Sequence, residues 1–169
     1  MVDSRRKGAT AERKARDELR KYTGLKWERT PGSGALGPQH KLKGDLYVPD
    51  APNFWCVEVK HYKDDQLTSK ILTSKSPIFL DWWRQAVRQA NQVDKEPLLI
   101  FKFDRSKWFI AWEGASFCNH PHYDGYAAWD DKIKKNIDVY IEGIDIGITT
   151  LDEFCTKVNN GIWLNQSTN

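Results

Sequence analysis

The sequence predicts a mixed α/β domain, one central sheet flanked by helices, and three observations carry that expectation. Apolar residues recur at helical spacing in two stretches, 8–22 and 77–93. Short apolar and β-branched runs bounded by Gly, Pro, Asn and Asp follow them at 25–30, 43–49, 53–62, 97–104, 107–114 and 138–146. With 169 residues, 40% of them apolar and eight of them tryptophan, the chain has the size of one ordinary domain and can bury a core without disulfides. The expected order is α-β-β-β-α-β-β-β-α in a single domain over 1–169, with a core of about 5–113 and a strand-helix extension of about 114–169.

The first helix, GATAERKARDELRKY (8–22), carries Ala11, Ala15, Leu19 and Tyr22 on one stripe and stops before Gly24. Arg13, Arg16 and Arg20 share another side. At about 100° per residue Glu12 falls on the border between the two. LKWERT (25–30) reads as a short strand and PGSGALGPQHKLKG (31–44) as a loop. KGDLYVP (43–49) and NFWCVEVKHY (53–62) read as two strands of a hairpin, because only the turn-rich PDAPN separates them.

The segment 64–76 contains LTSK twice, too few copies for a repeat architecture. Residues 77–93 predict the second helix, with Pro77 in its first turn and Ile78, Trp82, Ala86 and Ala90 as its apolar stripe. PLLIFKFD and KWFIAWEG predict a hairpin about the turn DRSK, 114–131 a loop, and DVYIEGIDI (138–146) one strand. Thr150 followed by Glu153 makes a capping box for a terminal helix, TLDEFCTKVNN.

Charged residues make up 29% of the chain and no apolar run approaches about twenty residues, which excludes a hydropathy-defined membrane span. The N-terminal MVDSRRKGATAERKARDELRK lacks the apolar centre of a secretory signal. Cys56, Cys118 and Cys155 are odd in number and form no CxxC pair, as expected of reduced thiols in a cytoplasm. Net charge is +3, unevenly spread: residues 1–75 hold 16 Lys plus Arg against 10 Asp plus Glu, whereas 76–169 hold 10 against 13. The basic half suits a polyanion, and equally a solvated helix face.

Within CVEVK (56–60), strand alternation sends Cys56, Glu58 and Lys60 to one face and Val57 and Val59 to the other. In the antiparallel hairpin Asp45 lies close to Glu58. Two carboxylates from adjacent strands can hold Mg²⁺ through hard oxygen ligands, leaving sites for water and phosphate oxygens. An ammonium beside them can orient water and stabilise negative charge. An isolated ExK is ordinarily a surface ion pair, but flanking by Phe54, Trp55, Val57 and Val59 argues for a central strand, where unpaired charge is costly.

Glu12 in a basic first helix, Arg29 on a strand, Ser33 in PGSG, Asp45 in GD, and Glu58 and Lys60 in VEVK form a series that resembles the PD-(D/E)XK nuclease superfamily, most closely its archaeal-type and phage Holliday-junction resolvases. The resemblance covers 5–62, and its first motif reads GD where the family name has PD. It implies a restriction-endonuclease-like fold. It also implies that Asp45 and Glu58 ligate Mg²⁺ or Mn²⁺ with the Val59 carbonyl, that Glu12 approaches the metal directly or through water, and that Lys60 positions the attacking water. Ser33 would lie near the scissile phosphate. Arg29 would contact DNA, as would Arg5, Arg6 and Lys7. The products would be a 5′-phosphate and a 3′-hydroxyl, and symmetric cutting of a four-way junction would need a C2 homodimer.

Other residues extend this reading. Arg13 and Arg16 on the first helix, and Lys63, Lys70 and Lys75 around the doubled LTSK, are candidate phosphate contacts, with a solvated surface as the alternative. Gln85, one turn from Gln89, is a candidate to support the site from the second helix. Cys118, His120 and His122 in CNHPH resemble half a zinc site but read better as a polar loop. The tryptophans read as core and dimer contacts rather than as base-stacking platforms. The expected function is a divalent-metal-dependent DNA endonuclease acting on Holliday junctions or other branched DNA, without membrane association, in the cytoplasm of a host if phage-encoded. A restriction or homing-type nuclease and a non-catalytic DNA-binding module are the alternatives.

Overall fold

A computed structural model describes residues 4–32, 42–114, 133, 135–158 and 160–164, with backbone only for Ser4, Arg5, Asn160 and Gly161. Its elements are α1 (Ser4–Thr23), β1 (Glu28–Arg29), β2 (Leu46–Tyr47), β3 (Trp55–Tyr62), α2 (Lys70–Thr73), α3 (Ile78–Asn91), β4 (Glu96–Phe103), β5 (Trp108–Glu113), β6 (Ile137–Ile141), β7 (Ile144–Thr150) and α4 (Leu151–Lys157), closed by a 3-10 turn, Asn160–Trp163. The expected mixed sheet flanked by helices is present: the described strands run β1-β2-β3-β4-β5-β7-β6, antiparallel except for β3 and β4. A parallel neighbour requires a crossover, and α2 and α3 provide it.

Strand alternation on β3 divides the core between the two faces of the sheet. Val57 and Val59 join Ala11, Ala15 and Leu19 of α1 and Phe154 of α4 on one side. On the other, Phe79, Trp82 and Trp83 of α3 cover Leu99 and Phe101 of β4, while Cys56 packs on Ala90 and Val93. Trp27, Trp55, Trp82, Trp83, Trp112 and Trp163 are all buried. The C-terminal elements belong to the same sheet: β7 pairs with β5, and Trp55 donates its indole N–H to the Ile162 carbonyl at 2.9 Å.

Several local expectations need correction. Residues 138–146 form not one strand but the end of one and the start of the next, joined by Glu142 and Gly143 at φ 52° and 79°. A two-residue turn with both φ positive matches the twist of a hairpin. Ile78 is exposed, and Phe79 and Trp83 take its place in the buried stripe of α3, with Pro77 just ahead of the helix. Thr150 precedes α4, but its side chain makes no capping bond to the helix backbone, and α4 stops at Lys157. The two strands before β3 shrink to two residues each, and α1 begins four residues before the expected start. Ser33, most of the 31–44 loop and the Cys118-His120-His122 segment lie outside the described residues.

Candidate active site

The β2–β3 pairing builds the site. Leu46 opposes Val57 in an antiparallel register, so the preceding residue, Asp45, comes abreast of Glu58. Two bonds to β3 fix Asp45: its N–H donates to the Val57 carbonyl at 2.6 Å, and its Oδ2 accepts the Val59 N–H at 2.8 Å. Its carbonyl accepts the Thr30 N–H at 2.9 Å, which ties the end of β1 to the same point.

Glu58 is 3% exposed. Its Oε1 accepts both the Lys60 ammonium at 2.6 Å and the Gln85 amide at 2.8 Å. The strand thus places Glu58 and Lys60 side by side, and α3 lowers Gln85 onto them. Gln89, one turn further along α3, accepts the Gly44 N–H at 3.2 Å. Both glutamines of QxxxQ therefore face the site, although sequence reasoning gave Gln89 no part in it; the one-turn spacing is the signal that pairs them.

Gly44 explains why the first motif reads GD. Its φ is 81°, and a Cβ there would lie 2.5 Å from the Val57 carbonyl oxygen. A proline, with φ near −65° and no N–H, fits neither that conformation nor the bond to Gln89.

Glu12 and Arg29 meet each other. Arg29 Nε donates to Glu12 Oε2 at 2.7 Å, and the second guanidinium nitrogen approaches the same oxygen at 2.5 Å. Arg29 is thus held on α1, and Glu12 is turned to it. Arg16 pairs with Asp17, and Arg20 is committed to Glu28 and the Trp27 carbonyl. Arg6, Lys7, Arg13, Lys63, Lys70 and Lys75 are exposed; Arg6 and Arg13 line, with Ala9 and Thr10, a surface hollow of about 430 Å³.

Electrostatically the carboxylates of Glu12, Asp45 and Glu58 outnumber the cations of Lys60 and Arg29 at the site. Burial, reinforced by the charge of Glu58 and to a smaller degree Glu12, pushes the Asp45 carboxyl up from 3.8 to about 8, against the Val59 N–H and Lys60. Asp45 Oδ1 and Glu58 Oε2 accept no hydrogen bond from the described residues. Two crowded carboxylates with free oxygens suit a hard divalent cation that completes its shell with water. Among the described residues no three His, Cys, Asp or Glu side chains gather as a ready cage.

Two carboxylates and a lysine presented from neighbouring strands of a mixed sheet are the arrangement that the nuclease resemblance anticipates. The family model described as "Phage putative PDDEXK endonuclease" matches residues 3–164, and the chain belongs to that family. It is 48% identical over 113 residues to Protein D14 of Escherichia phage T5, covering 65% of this chain and 71% of that protein. Among solved structures it is similar to Archaeoglobus fulgidus Hjc, a Holliday junction resolvase, with 25% identity, coverage of 59% of this chain and 70% of that one, and a TM-score of 0.38. No helix among the described residues is long and apolar enough to cross a membrane.

Proposed function

We propose that this chain is a divalent-metal-dependent endonuclease that cuts branched DNA, four-way junctions foremost, as a homodimer. The observation that supports the chemistry is the facing of Asp45 and Glu58 across β2 and β3, each with an oxygen to spare and with Lys60 against Glu58. Asp45, Glu58 and the Val59 carbonyl would hold Mg²⁺ or Mn²⁺. Such an ion supplies Lewis acidity to a phosphate oxygen and makes a bound water acidic near neutral pH.

The residues of the chain do the rest. Lys60, on the same strand face as Glu58, orients water for in-line attack and stabilises charge on the phosphate. Gln85 holds the Glu58 carboxylate through one oxygen, which would leave the other for a divalent cation. Arg29, pivoting from Glu12, can meet a phosphate, and Glu12 is then free to turn toward the metal directly or through water. Ser33, which lies outside the described residues, would act near the scissile phosphate as the resemblance implies. Exposed Arg6, Lys7 and Arg13, with Arg5 beside them and Arg16 a turn beyond, track the backbone along α1, while Lys63, Lys70 and Lys75 do so beyond β3.

Branched DNA is favoured because the ordered series from Glu12 to Lys60 resembles that of the junction resolvases, and a two-fold junction calls for two sites on a two-fold dimer. A catalytic core at about 5–113 carries every proposed ligand. The buried thiols of Cys56 and Cys155, both pushed up to about 12 by burial, suit a reducing host cytoplasm.

The test is Mg²⁺-dependent cleavage of a four-way junction, a linear duplex and a single strand of one sequence, by wild type and Glu58→Ala. Paired symmetric nicks in the junction alone, lost in the variant, are the expected result. Cutting of linear duplex at a defined sequence would replace junction resolution by a restriction or homing activity.

A further inference from the structure

Five large apolar side chains are exposed among the described residues, and three of them fall between positions 62 and 78: Tyr62 at 42%, Leu72 at 78% and Ile78 at 36%. A single exposed apolar residue is unremarkable; three in the stretch that follows the candidate active-site strand are not. Tyr62 leaves β3 two residues after Lys60, on the same strand face. Its ring packs on Trp82 of α3, centroids 5.6 Å apart. Ile78 precedes Trp82 by four residues, one helical turn, and Gln85 follows Trp82 by three, so one side of α3 carries Ile78, Trp82 and the amide that holds Glu58.

Leu72 completes the group from α2. Its neighbour Ile71 and the preceding Leu67 anchor the segment against the α3-side core, with Phe79, Trp82 and Phe101. About 100° further round, Leu72 is left in solvent. Lys63, Lys70 and Lys75 border the patch and are exposed. Asp64 and Asp65 lie on the same segment, with Asp65 capping the Leu67 N–H at 2.7 Å, and the three lysines outnumber the two carboxylates there.

We propose that Tyr62, which packs on Trp82, Ile78 one turn before Trp82 on α3, and Leu72 on the adjoining α2 form a platform that receives an unstacked DNA base next to the bond that is cut. An apolar surface with a lysine rim matches a nucleotide, whose base has flat apolar faces and whose flanks carry phosphate. In an intact duplex those faces are hidden by stacking; at a branch point they are exposed at least cost, as for any unpaired or mismatched base. An aliphatic side chain presented between basic residues is also the chemistry of a wedge inserted at a base step. The platform deepens the proposed action on branched DNA and rests on it, because it gives the enzyme a means of sensing unstacked bases beside Lys60.

The experiment uses the full chain with Ca²⁺ in place of Mg²⁺. Its ligands are a four-way junction carrying 2-aminopurine at the branch point and a linear duplex with the same label. Wild type is expected to change the probe's emission on the junction and to bind it more tightly than the duplex. Tyr62→Ser with Leu72→Ser should abolish the change and lower junction affinity on the order of tenfold, leaving duplex affinity and the circular dichroism spectrum as in wild type. Tyr140→Ser, at 76% exposure on β6, is the control and should change nothing. Emission change and junction preference persisting in the double variant, or lost equally in Tyr140→Ser, would overturn the platform, as would a wild type that perturbs the probe on neither DNA. If wild type binds both DNAs equally but loses its probe response in the double variant, the branched-DNA reading fails while the platform stands.

Discussion

Gln85 reaches from α3 to donate a 2.8 Å hydrogen bond to the same Glu58 oxygen that Lys60 holds from within β3. The buried carboxylate is fixed on one oxygen by two elements, so its second oxygen has a defined direction. Gln85→Leu keeps the volume and removes the donor. We expect cleavage at limiting Mg²⁺ to fall about 10- to 100-fold, with the half-saturating Mg²⁺ concentration raised and much of the rate restored at high Mg²⁺. An Mg²⁺ titration of single-turnover cleavage separates this from general destabilisation, which added metal would not repair selectively.

Gly44 sets a test that runs against the family's name. Replacing it by proline restores PD on paper, yet the backbone there has φ 81° and donates its N–H to Gln89. Gly44→Ala should destabilise the protein by about 1–3 kcal/mol, and Gly44→Pro by more, with cleavage lost. Thermal unfolding checks it; a Gly44→Pro variant as stable and active as wild type would mean the loop can be rebuilt.

The Asp45 shift gives a pH dependence with a definite sign. Between 3.8 and about 8 native Asp45 keeps a proton that the unfolded chain releases. The native state then binds more protons than the unfolded state, so this group's contribution to stability is greatest below 3.8 and is lost as pH rises through about 8. Without divalent metal, the melting temperature should fall from pH 5 to pH 8, roughly 2–4 °C for each kcal/mol involved. Asp45→Asn should flatten that slope. Added Mg²⁺ should raise the melting temperature more at pH 8 than at pH 5, because ion and proton compete for the same carboxylate.

Glu12 and Arg29 form a partly buried pair, their side chains 12% and 30% exposed. Arg29→Ala leaves the Glu12 charge without its partner and should lower stability by about 1–3 kcal/mol. Adding Glu12→Gln should recover part of that loss, since neighbours in one ion pair are not additive. Urea unfolding of the two single variants and the double variant measures the coupling.

The parts of this site that were legible in the sequence are those governed by local periodicity. Alternation along CVEVK puts Glu58 and Lys60 on one face, and the short PDAPN connection makes an antiparallel hairpin that brings Asp45 across. Helical spacing likewise gave α1 and α3 and the positions of Glu12 and Gln85. Gln89 was passed over because its partner is a backbone N–H in a loop 45 residues away, and no periodicity reports that. Arg29 read as a free DNA contact for a similar reason: only the fold brings it to Glu12. The β6–β7 hairpin was missed because its turn is Glu-Gly, not Asn-Gly or Asp-Gly, and the apolar run continues through it. Ile78 fitted the helical stripe, but the buried face of α3 is centred on Phe79, Trp83, Ala86 and Ala90, and Ile78 falls at its edge.

The central claim is that Asp45 and Glu58 form a divalent-metal site, and calorimetric titration of Mn²⁺ into the full chain tests it most directly. The account predicts a saturable site in wild type with net proton release below about pH 8, and loss of that site in both Asp45→Asn and Glu58→Gln, with each variant still folded by circular dichroism. Isotherms that match wild type in both variants would place the metal elsewhere and contradict the account.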